Sequence, residues 1–173
     1  GFGSGFGIAR FIEKVFRCVH RQKAESFFRK GQAGAAAGMA FLHGAQDGQK
    51  FMGVFMVALY LNGMAEKAAD GTFNIPFWVM VLCSLTMGVG TAVGGWRIIK
   101  TVGMDMVKMH TYQGFASDAA AGACLLLASL TGLPVSTTHT KTTAIMGVGT
   151  SRRVSSVNWG IALEMIYAWV LTF

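Results

Sequence analysis

Charge is what this sequence has least of. Asp, Glu, Lys and Arg together make up 13% of its 173 residues, about half of what a soluble domain carries. Cysteine is equally sparse. Cys18, Cys83 and Cys124 are odd in number and far apart, which excludes a zinc-type spacing or a disulfide framework and leaves them as small apolar fillers. A dinucleotide fingerprint is missing too: Gly1 to Gly7, GFGSGFG, lacks the required glycine spacing and has no strand before it. That stretch reads instead as the tail of a truncated, glycine-rich membrane helix. There is no initiator Met, and the chain stops at Phe173 while still apolar. A piece of a longer membrane protein is therefore expected, and an N-terminal targeting signal is not readable.

What the chain does have is apolar length. It is 53% hydrophobic, with 23 Gly, 11 Met and a mean hydropathy of +0.47, a membrane composition, and its long apolar segments make the expected fold an all-α integral membrane protein. The net charge of +7 is concentrated. Arg10, Lys14, Arg17, Arg21, Lys23, Arg29 and Lys30 stand against only Glu13 and Glu25, so residues 10–30 supply +5 of it and by the positive-inside rule face the cytoplasm. These basic residues mark one loop and come with no nucleic-acid motif, so no nucleic-acid partner is expected.

In chain order, Ile8, Phe11, Ile12, Val15, Phe16 and Val19 recur at helical spacing between basic residues, which predicts a cytoplasmic amphipathic linker over 8–30. Gly31 to Leu61 is mostly apolar but is interrupted by His43-Gly44-Ala45-Gln46-Asp47-Gly48-Gln49-Lys50. About 31 residues of unbroken helix would run about 46 Å against a hydrocarbon core of about 30 Å, so two half-helices separated by a break at Gly44 and Gly48 are predicted. Asp47 at that depth is a functional candidate, with a buried helix cap as its plainer reading. Glu66 to Asn74 is polar with near-balanced charge, as an external loop would be, and Pro76 to Trp96 is a span. Arg97, Lys100 and Lys108 return the chain to the inside, and Gly114 to Thr131, with Asp118 near its start, re-enters the membrane. Asn158 to Phe173 begins another span, in which Glu164 is a weaker site candidate than Asp47.

The densest polar stretch is Gly132 to Thr143, GLPVSTTHTKTT, where six of the eight residues from Ser136 to Thr143 carry a hydroxyl between two apolar runs. Pro134 ends the first run and biases Leu133 away from helix, which puts Ser136, Thr137 and Thr138 at the N-cap and first turn of a second helix. Backbone N–H groups and hydroxyls at such a start make an anion site, and a Ser/Thr-rich start that caps itself is the alternative. Arg152 and Arg153 follow the second run. A re-entrant hairpin that comes back to the cytoplasm satisfies the charge rule, whereas a single crossing does not.

The two polar breaks, HGAQD and GLPVSTTH, together resemble the PiT family of inorganic phosphate transporters, whose C-terminal half carries H-G-x-N-D and later G-x-P-V-S-T-T-H. His43 to Gly53, Gly90 to Gly103, Gly114-Phe115 with Asp118, and Gly132 to Gly149 all look like this family, in its order. Gln46 departs from the family's Asn by one methylene. The resemblance implies a fold of two inverted repeats with broken or re-entrant half-helices. Residues 31–173 would be the C-terminal repeat, and the missing N-terminal repeat would be its partner.

It also implies import of inorganic phosphate, free or as a metal-phosphate complex, coupled to Na⁺ or H⁺, in a multi-pass protein of the plasma membrane that needs no cofactor. The bilayer is then its surroundings, and a homo-oligomer is compatible with it. Ser136, Thr137 and Thr138 would donate to phosphate. Gln46 and Asp47 would complete the same substrate site, in which Asp47, acceptor-only when ionised, goes to the coupling cation or proton, with Gln46 and Asp118 assisting. Lys50 and Lys141 would raise the local potential or snorkel to an interface. His139 is a helix-orienting residue rather than a metal ligand. The rival from another class is an intramembrane hydrolase with Ser136 as nucleophile, His139 as base and Asp47 as orienter. A non-transporting structural subunit leaves both polar breaks unexplained. Against the hydrolase, no G-x-S-x-G elbow is present, and three adjacent hydroxyls suit binding better than attack.

Overall fold

The computed structural model describes residues 1–18, 21–68 and 71–171, so Val19 of the expected amphipathic stretch lies outside the described residues. The described residues form six α-helices: α1 Phe2–Val15, α2 Arg21–Leu61, α3 Phe77–Lys100, α4 Thr111–Leu130, α5 Thr137–Arg152 and α6 Trp159–Leu171. Short 3-10 turns follow α1 and α5, and α3 loosens into a π-helical turn over Thr101–Asp105. Among the described residues there is no strand, only isolated bridges between Lys67 and Phe73 and between Val107 and Val157. The expected all-α architecture holds, and two helical stretches, Phe77–Asp105 and Thr111–Leu130, are long and apolar enough to cross a membrane.

Two helix boundaries differ from expectation. The glycine-rich start does not end at Gly7 but continues to Val15 as one helix, because Gly5 and Ala9 let α1 lie directly on α5. A Cβ on Gly147 would overlap the Phe2 carbonyl, so this contact requires glycine. The boundary expected at 30 falls inside α2. The break predicted around Gly44 and Gly48 is absent: α2 is continuous for 41 residues, about 61 Å at 1.5 Å per residue. The physical reason lies in its polar side chains. His43, Asp47 and Lys50 stand at i, i+4 and i+7 on one face, and His43 and Lys50 each pair with Asp47, so the acid is satisfied without unwinding. Glycine permits a break but does not compel one.

The second predicted break is present. α4 stops at Leu130 through a C-terminal motif in which Leu133 N–H donates to the Ala128 carbonyl at 2.9 Å and Gly132 N–H to that of Ser129 at 3.3 Å. Gly132 sits at φ +69°, the left-handed conformation this ending requires. The chain then runs irregularly through Pro134 to Ser136, which caps α5.

The helices alternate in direction about one basic end. The arms of the α4–α5 hairpin are antiparallel, and Val107, just before α4, bridges Val157, just after α5. Asn158 N–H donates to the Met106 carbonyl at 2.8 Å at the same place. α1 finishes there with Glu13, bonded by Tyr112 and Arg152, and α2 passes with Phe28 against Tyr112 and Phe115. Residues 10–17, 28, 106–112 and 152–157 therefore share one end, where a cavity of about 780 Å³ is lined by Arg10, Glu13, Lys14, Arg17, Glu25 and Arg152 among others. α3 returns from the far end, where Trp78 meets Phe55 with ring centres 5.9 Å apart, and joins the core at Val102.

Candidate functional site

The cavity at the basic end is remote from the polar breaks, and the chemistry gathers elsewhere, where the tip of the α4–α5 hairpin leans on the middle of α2. Asp47 is its centre. Its Oδ2 accepts from the Thr137 hydroxyl at 3.0 Å and lies 3.3 Å from His43 Nε2, while its Oδ1 accepts from Lys50 Nζ at 3.0 Å. Lys50 Nζ also donates to the Val135 carbonyl at 2.8 Å, which ties α2 to the connection just before α5. Two polar segments that are 90 residues apart in sequence are thus in direct contact.

The start of α5 has the form expected of it. Ser136 is the N-cap in extended conformation, and its Oγ accepts the His139 N–H at 3.4 Å. Helix geometry leaves the N–H groups of Thr137 and Thr138 without an intrahelical acceptor. Thr138 is exposed, Ser136 is half-buried, and Thr137 is enclosed against Asp47. Further along, the Thr140 and Thr143 hydroxyls fold back onto the carbonyls of Ser136 and His139, so those two serve the helix. The start of α5 therefore offers hydroxyl and N–H donors on one side of an acceptor-only carboxylate.

Not every sequence candidate joins this group. Gln46 is buried, but it faces α4. Its Nε2 donates to Ser129 Oγ at 2.9 Å and to the Leu125 carbonyl at 3.4 Å, because one helical step from Asp47 turns the side chain about 100° away. Asp118 forms an ion pair with Lys141, joining the arms of the hairpin below the tip. The expected oxygen cluster of Asp47, Gln46 and Asp118 is therefore not assembled. Among the described residues no group of three or more His, Cys, Asp and Glu side chains could hold a metal. Lys141 does not snorkel outward; its ammonium is taken by Asp118. The His139 ring packs on Trp169 with centres 4.3 Å apart, and Glu164 is exposed on α6. Asp47 faces Thr137, His43 and Lys50, which is not the order of a Ser136–His139–Asp47 relay.

His43 and the firm placement of Lys50 were missed by the sequence reading. The signal was present, since His43, Asp47 and Lys50 share one helical face by spacing alone once α2 is taken as unbroken.

Residues 7–173 match the model of the phosphate transporter family. The chain is 39% identical over 171 residues to a Bacillus subtilis (strain 168) protein named "Probable low-affinity inorganic phosphate transporter", covering 99% of this chain and 50% of that one. It is 42% identical to the protein of the same name from Rhizobium meliloti (strain 1021), covering 98% of this chain and 51% of that one. A solved structure named "The sodium-dependent phosphate transporter" superposes with a TM-score of 0.73 at 28% identity, over 93% of this chain and 40% of that chain. This chain spans about half the length of the curated relatives it matches. With both signature segments in contact at one site and the match running nearly end to end, the chain belongs to the phosphate transporter family.

Proposed function

We propose that this chain is one half of a multi-pass secondary transporter that imports inorganic phosphate together with a cation, with a second repeat completing the site. The observation that carries the proposal is the Thr137 hydroxyl on Asp47 Oδ2, which sets an acceptor-only acid beside the donor-rich start of α5. Phosphate would take the hydroxyls of Ser136 and Thr138 and the open N–H groups of the first turn, as anions do at helix starts, while the one hydroxyl proton of Thr137 stays on Asp47. An ionised carboxylate repels phosphate, so Asp47 takes the coupling ion, and the two charges then offset each other in one site. The sodium dependence of the similar transporter of solved structure favours Na⁺ over H⁺. Gln46 acts by holding α4 against α2, and Asp118 by holding Lys141, rather than as ligands. The basic end faces the cytoplasm of a plasma membrane.

The test is uptake of labelled phosphate into vesicles containing the full-length protein, driven by an imposed Na⁺ gradient or pH gradient. Accumulation that collapses with the gradient is expected. Phosphate-ester hydrolysis without accumulation would point to the hydrolase instead.

A further inference from the structure

Lys50 is held in a way that a surface pair is not. A Lys three residues from an Asp on one helix is an ordinary stabilising pair worth little by itself. This ammonium, however, also donates to Val135, 85 residues away on the connection into α5. A carboxylate and the carbonyl of an irregular segment between helices are the oxygen ligands that such segments offer a small cation. The Lys50 ammonium thus stands between two oxygens suited to a monovalent ion, one residue before the Ser136 cap. Its stem is long and flexible, and its head carries three donors and no acceptor.

Resting on the transporter reading above, we propose that Lys50 is a tethered cation that transmits the coupling. It neutralises Asp47 while the ion is absent and is released to phosphate at the start of α5 when Na⁺ takes the carboxylate. One ammonium serves one anion at a time, so ion and phosphate each strengthen the other's binding by the same factor. The remaining groups around the carboxylate, His43 on α2 and Thr137 on α5, stay in place and keep it oriented.

The test is equilibrium binding of labelled phosphate and, separately, of Na⁺ to purified full-length protein, with Na⁺ titrated at fixed pH. Wild type should bind phosphate more tightly as Na⁺ rises. Lys50→Met should bind phosphate about tenfold or more weakly at saturating Na⁺, as befits a lost charged donor, while keeping the part of the Na⁺ dependence that comes from Na⁺ offsetting the Asp47 charge. Its binding of Na⁺ without phosphate should tighten, because the tethered competitor is gone; a merely structural loss would weaken both ligands. Lys50→Arg, which keeps charge and reach, should keep the wild-type phosphate affinity at saturating Na⁺, and Lys50→Gln should behave as Lys50→Met if the latter is not recovered. Wild-type phosphate affinity at saturating Na⁺ in the uncharged variants, or Na⁺ binding that is unchanged or weaker in them, overturns the tethered-cation role and leaves the transporter reading standing. A wild type that binds no phosphate overturns both.

Discussion

The Arg152 guanidinium carbon lies 5.8 Å from the centre of the Tyr112 ring, so the last turn of α5 stands over the first turn of α4. Glu13 at the end of α1 closes the group, accepting from the Tyr112 hydroxyl at 3.1 Å and facing Arg152 Nε at 3.5 Å. A chain that crossed a bilayer once between Thr111 and Arg152 would separate these ends by the thickness of the membrane. Here they touch, and the stretch is a hairpin.

The first prediction concerns sidedness. A single Cys placed at Arg152, in a background without Cys18, Cys83 and Cys124, should resist a membrane-impermeant thiol reagent added outside intact cells and react once the membrane is opened. Modification from outside would put the basic end on the outer face.

Thr137 and Thr138 should separate when each is changed to Val. The Thr138 side chain is exposed, so its replacement should lower phosphate affinity by about 1–3 kcal/mol while leaving thermal stability unchanged. Thr137 is 2% exposed and its hydroxyl proton is committed to Asp47, so its replacement should alter the ion dependence more than the phosphate affinity at saturating Na⁺. Phosphate titrations of the two full-length variants at several Na⁺ concentrations check this, and equal, ion-independent effects would make both hydroxyls simple ligands.

Asp118 and Lys141 clasp the hairpin, so breaking the pair should act on stability rather than on affinity. Asp118→Ala should lower the stability of detergent-solubilised protein by about 3 kcal/mol, the low end for a buried pair because neither partner is fully enclosed. Asp118→Leu combined with Lys141→Met should recover most of that loss, since no unpaired charge remains. Thermal unfolding of the three proteins decides it; a single variant as stable as wild type would remove the clasp from the account.

How far the sequence could be read depends on what kind of signal each break carries. At Gly132 to Ser136 the signal is covalent: Pro134 withdraws a donor, and Gly132 takes a positive φ, so the break follows locally. At His43 to Lys50 the signal was an acid near the middle of an apolar span between two glycines, and neither compels unwinding when i, i+4 and i+7 partners lie on the same face. Asp47 and the start of α5 were legible as parts of one site through the family resemblance, but the direct bond from Thr137 to Asp47 was not, because it depends on how the hairpin tip meets α2. The sorting of Gln46 and Asp118 away from Asp47 was hidden for the same reason. Gln46 is set by the rotation of α2 against α4, and Asp118 by the register of two antiparallel arms.

The central claim, that Asp47 binds the coupling ion beside a phosphate held by the start of α5, is tested most directly by binding of labelled phosphate to purified full-length protein. Wild type and Asp47→Asn should be compared with Na⁺ titrated at fixed pH, and with pH titrated in the absence of Na⁺. The wild-type affinity should rise with one of the two ions, and Asp47→Asn should still bind phosphate but with an affinity that neither ion changes. Wild-type ion dependence in Asp47→Asn, or a wild type that binds no phosphate at all, would contradict the account.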